Sequence, residues 1–140
     1  MARRAYISCE DGDLPAVREL RRTVGHPYTG IEFVDHIHGK CPFHLPDADA
    51  VRIQVLARMR EVVVTVCMIG GATHSNPWVH WEIETAVGLG HGLVGVRLRT
   101  GIHDFIPRAL RSAHAQIVGA HVPSIMASIE RAAFVASSAR

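Results

Sequence analysis

The run from Val62 to Ile69 reads VVVTVCMI and is closed by Gly70-Gly71. It is short, almost wholly apolar and rich in β-branched residues, so it suits a strand buried on both faces rather than one with a wet side. Such a strand needs helices above and below it. That requirement points to a parallel sheet whose connections are helical crossovers.

The rest of the chain supplies those parts in alternation. Ala5 to Ser8 reads as a first strand, and Leu14, Val17 and Leu20 then recur at helical spacing with Asp13 as the expected cap. Ile31 to Val34 is a second strand. The stretch from Asp35 to Asp47 carries Gly39, Pro42 and Pro46 and is expected to be a loop feeding a helix from about Ala48 to Arg60. Asn76 and Pro77 mark the start of a third helix. Leu93 to Leu98 follows as a fourth strand, Gln116 to Val118 as a weaker fifth, and Pro123 to Val135 as a terminal helix. This string predicts an α/β, flavodoxin-like three-layer fold with a central five-stranded parallel sheet in the order 2-1-3-4-5. At 140 residues and 48% hydrophobic, one globular domain over 1–140 is expected.

In sheets of that order, ligands sit beyond the carboxyl ends of the strands, where the winding reverses between the first and third. The crevice would be walled by Ser8-Cys9-Glu10-Asp11-Gly12 and by Gly70 through Ser75. The third helix begins at its edge. Projected at about 100° per residue, that helix places Trp78, Val79, Glu82, Ile83, Ala86 and Leu89 on one arc and Glu84 opposite, near His80. Glu82 is therefore expected on the buried side, where a carboxylate is costly unless paired. A structural pair and a functional acid both satisfy that demand.

Several other signals resolve to quieter readings. A formal charge of +2, with arginines scattered along the chain, does not suggest nucleic-acid binding, and no apolar run is long enough to cross a bilayer. Cys9, Cys41 and Cys67 are odd in number and widely spaced, which favours a reducing, cytoplasmic setting without disulfides. His36, His38, Cys41 and His44 are all potential zinc ligands, but their spacing matches no common metal pattern, and no metal is expected. Gly88-Leu89-Gly90-His91-Gly92 follows a helix and precedes a strand, so it reads as helix termination and not as a phosphate cradle. Arg18, Arg21 and Arg22 read as a solvated helix face.

The segment VVVTVCMIGGATHSNPWVHWEIETAVGLGHGLVGVRL resembles the core of TIR and TIR-like domains, specifically the short bacterial TIR-like proteins of Thoeris-type phage defence. Their pattern runs from an apolar strand through a Ser/Thr loop to Ser-x-x-Trp and a Glu four residues beyond that Trp. Ser75, Trp78 and Glu82 match it. AYISCEDGD resembles the family's opening strand with its Ser and acids, and IEFVDHIHGK its second strand with an Asp and a later Gly, here Asp35 and Gly39.

The resemblance implies cleavage of the bond between nicotinamide and ribose in NAD, releasing ADP-ribose or a cyclic ADP-ribose-type signal. Glu82 would be the catalytic carboxylate, and Trp78 or Trp81 an aromatic wall. Ser8, Asp11, Ser75 and, more weakly, Asp35 would meet the ribose or phosphates. NAD would be substrate, with no prosthetic group. Copies of the chain, or a trigger protein, would be the partners on activation. The loop DHIHGKCPFHLPDAD departs from the family in its histidines and prolines, so only Asp35 is carried over from it. A non-catalytic interaction module and a nucleoside-processing glycosyltransferase are the alternatives.

Overall fold

The computed structural model describes residues 3–25, 29–34, 42–99 and 106–138. Five strands form one sheet: β1 (Arg3–Ser8), β2 (Ile31–Val34), β3 (Val64–Ile69), β4 (Gly92–Arg97) and β5 (Gln116–Gly119). Every pairing is parallel and the order is β2-β1-β3-β4-β5, as the sequence predicts. The helices are α1 (Leu14–Val24), α2 (Ala48–Met59), α3 (Pro77–Gly88), α4 (Arg108–Ser112) and α5 (Val122–Ser138). Helix α4 has no counterpart in the sequence reading, because five residues show too little periodicity to mark a helix.

β3 is buried at every position, which is the condition that its composition imposes. Alternation along it divides the core in two. Val64, Val66 and Met68 face α1 and α5, joined by Ala5, Ile7, Val94, Val96, Ile125 and Ile129. Cys67 and Ile69 face α2, α3 and α4, joined by Tyr6, Val55, Met59, Val79, Ile83 and Leu110. Each fully buried aliphatic side chain contributes about 1.5–3 kcal/mol by leaving water, so the sheet is held from both sides. On the α5 side the approach is close. A Cβ on Gly92 would stand 2.2 Å from the carbonyl oxygen of Ala132, so only glycine lets β4 begin there.

The ends of α3 follow local rules. The Asn76 side chain accepts the Val79 N–H at 3.1 Å, and Pro77 occupies the first turn, where its missing N–H costs nothing. The helix ends at Gly88, the chain turns through Gly90, whose φ of +75° suits glycine, and the His91 N–H returns to the Ala86 carbonyl at 3.0 Å. At α1 two expectations need correction. Asp13 holds the cap position but makes no capping bond. Arg21 is not simply solvated, since its guanidinium donates to the Phe33 carbonyl at 3.1 Å and ties α1 to β2. Among the described residues, no helix is long and apolar enough to cross a membrane.

Candidate functional site

Tyr6 and Ser8 are two residues apart on β1, so both project to the face that α3 covers. Glu82, one turn beyond Trp78 on α3, projects back toward them and is 0% exposed. The Ser8 hydroxyl donates to Glu82 Oε1 at 3.1 Å, and the Tyr6 hydroxyl makes a short hydrogen bond to Oε2. Both carboxylate oxygens are thus bonded from β1, which offsets the cost of placing an acid in the core. Glu84, two residues on, is exposed and pairs with His80 at 3.0 Å. The helical projection separates the two acids correctly.

Cys67 shows how the charge is felt. It lies beside Ser8 in the β1–β3 register and is fully buried. Burial pushes its thiol far above the usual range, and the charge of Glu82 pushes it further, with smaller contributions from Cys9 and Asp13. It is a neutral packed thiol and not a nucleophile. Cys9 is likewise buried and is a thiol, not half of a disulfide.

The rim of the crevice is built from two turns. Asp11–Asp13 follows β1 and Thr73–Ser75 follows β3. They are joined by Thr73, whose hydroxyl accepts the Gly70 N–H at 2.8 Å and lies 3.5 Å from Asp13 Oδ2. Asp11 is exposed on this rim. Ser75 is exposed too, and its hydroxyl donates to the Ala72 carbonyl at 3.1 Å, which is turn chemistry. Asp35 lies outside the described residues, as do His36, His38 and Cys41. His44 is exposed and stands edge-on to Phe43 with centroids 5.7 Å apart.

Trp78 is buried and enclosed. Phe43 meets it edge-on at 5.0 Å, Trp81 at 5.9 Å, and the Arg52 guanidinium lies 5.4 Å from its ring centroid. Arg52 also sits 4.1 Å over Phe43, donates to the Phe43 carbonyl and pairs with Asp49, both at 2.9 Å. Trp78 therefore anchors the segment before α2 onto the helix that carries Glu82. The structure brings Ser8 and Glu82 into contact, leaves Asp11 and Ser75 at the rim, and adds Tyr6, which the sequence reading passed over. Its signal was the two-residue spacing from Ser8.

A parallel sheet in the order 2-1-3-4-5, with an acid from the third helix bonded to the first strand where the winding reverses, defines a flavodoxin-like, TIR-like α/β fold. The chain belongs to the family described as Thoeris protein ThsB, TIR-like domain, whose profile matches residues 6–101. It is thus a TIR-like protein of an antiphage-defence family. Among solved structures it is similar to a conserved protein from Enterococcus faecalis V583, at 12% identity and a TM-score of 0.58, covering 94% of this chain and 99% of the other. It is also similar to a 3-dehydroquinate dehydratase-like protein from Bifidobacterium longum, at 16% identity and a TM-score of 0.53, covering 98% and 99%. Likenesses this distant in sequence establish the fold alone. No curated protein matches the chain.

Proposed function

We propose that the protein cleaves the nicotinamide–ribose bond of NAD, with Glu82 as the catalytic carboxylate. The observation that carries this reading is the fully buried Glu82, bonded by Tyr6 and Ser8 beside the crevice of a TIR-like fold. As the bond between the ribose anomeric carbon and the pyridinium nitrogen breaks, its electron pair goes to the ring. Nicotinamide leaves neutral and the sugar becomes cationic. A carboxylate already oriented by two fixed donors stabilises that oxocarbenium-like state without having to reorganise. Water then adds at the anomeric carbon and loses a proton to give ADP-ribose; attack by the substrate's own adenine instead gives a cyclic product.

The Ser8 hydroxyl and the rim turns supply polar contacts for ribose and phosphate. The closure of Glu82 from solvent fits an enzyme that turns over after assembly or a trigger, since the reacting sugar reaches the acid only when the crevice opens. That same closure favours the competing reading, a TIR-like interaction module in which Glu82 only ties α3 to β1. Incubating concentrated protein with NAD and following free nicotinamide and the nucleotide product by chromatography separates them. Nicotinamide release supports the enzyme, and NAD left intact under assembling conditions leaves the interaction module.

A further inference from the structure

We propose that Asp13 sets the substrate specificity of this site by accepting the diol of the adenosine-side ribose and disfavouring nucleotides that carry a phosphate on it. This rests on the NAD-cleaving reading above and adds which end of the substrate is read at the rim.

Asp13 stands at the cap position of α1 without capping it. An aspartate before a helix normally accepts the N–H of the second or third helical residue. Here Pro15 at the second position has no N–H, Ala16 at the third keeps one, and the capping bond is made to neither. The carboxylate turns instead across the crevice onto β3. A Cβ on Gly70 would stand 2.3 Å from Asp13 Oδ2 and 2.5 Å from Oδ1, so the absence of a side chain at Gly70 is what admits the acid. Among the described residues its one side-chain hydrogen-bond partner is the Thr73 hydroxyl at 3.5 Å, and that hydroxyl has a second acceptor, the Met68 carbonyl, at the same distance. A hydroxyl has one proton to give. Among the described residues no cation lies within ion-pair reach of Asp13.

The result is a half-buried carboxylate with most of its acceptor capacity unused by the described residues, at the point where sheets of this order take ligands. Two adjacent hydroxyls are the donors that a carboxylate with spare lone pairs on both oxygens matches best, and a ribose supplies them. The depth of the two acids assigns the two riboses. Glu82 is closed from solvent beneath the rim and takes the sugar that reacts, while Asp13, at the mouth, takes the sugar that stays outside. A 2′-phosphate at that outer ribose removes one donor and sets negative charge against the carboxylate. Both changes disfavour binding.

The test compares ADP-ribose with 2′-phospho-ADP-ribose by calorimetry, and NAD with NADP by nicotinamide release, using the whole chain. The wild type is expected to prefer the unphosphorylated member of each pair by about tenfold or more. Asp13→Asn keeps the shape but replaces one acceptor with a donor. It should raise KM for NAD with kcat nearly unchanged and remove most of the preference. Asp13→Glu, which keeps the charge on a longer arm, should weaken ADP-ribose binding yet retain the bias against the phosphate, and it carries the test if the Asn variant does not fold. An unchanged preference in Asp13→Asn, an unchanged ADP-ribose affinity in Asp13→Glu, or a wild type that binds neither ligand overturns the proposal. Selective binding without nicotinamide release sinks the enzymatic reading and leaves Asp13 standing; release with an unaltered preference does the reverse.

Discussion

The two ends of the sheet use their polar groups in opposite ways. At the carboxyl end, Tyr6 and Ser8 converge on Glu82, and Asp13 stands over Gly70 with acceptor capacity left over. At the amino end, the Thr65 hydroxyl and His91 Nδ1 bond each other at 2.9 Å, and Arg131 donates to Gln116 at 3.0 Å. Beside them lies a groove of about 840 Å³, walled in part by Val87, Phe134 and Val135, and Phe134 is 73% exposed. At the amino end the polar atoms answer one another, whereas at the carboxyl end Glu82 is drawn into the core and Asp13 stands at the reversal of the winding. A ligand site needs a few convergent polar groups as well as space, and that convergence at the carboxyl end is what supports the proposed site.

That contrast can be broken by substitution. Glu82→Gln keeps the shape and loses the charge; nicotinamide release should fall by roughly 10³-fold while the circular-dichroism spectrum is kept. Retained turnover would remove the carboxyl end's claim to be the active one. At the opposite end, Gly92→Ala drives a methyl group against the Ala132 carbonyl and should cost about 1–3 kcal/mol in urea unfolding. Its turnover per folded molecule should stay at the wild-type value, and a parallel loss of activity would show that the two ends are not separate.

Smaller effects sharpen the picture. Tyr6→Phe removes one donor from Glu82 and keeps the ring in the core, so kcat should drop about tenfold with KM unchanged, the worth of a hydrogen bond to a charged group. A Tyr6 variant that changes only stability would mean that the bond serves packing alone. Glu84→Gln disrupts the exposed pair with His80 and should alter stability by no more than about 0.5 kcal/mol, with activity untouched. A large loss there would overturn the assignment of the two glutamates to opposite faces.

Much of this was legible because its causes are local. The apolar run of β3, the Asn76-Pro77 start of α3 and the glycine stop after it are set by a few adjacent residues, and each appears where it was read. The separation of Glu82 from Glu84 needed only the helical period. Asp13 shows the limit of reading residues one at a time. Its type suggested a cap, while in the fold its carboxylate lies against Gly70 and makes no capping bond. The five residues of α4 were too few to show a period, and the pairing of Tyr6 with Glu82 spans 76 positions, beyond any local pattern.

The sequence by itself determined which segments form strands and helices and which face of α3 turns inward, since hydrophobic period and cap chemistry act over a single turn or pleat. Tertiary structure alone decided which donors meet the inward acid and which backbone gap receives Asp13. Those contacts exist only once β1 and β3 lie side by side, and the chain between them carries no trace of that distance.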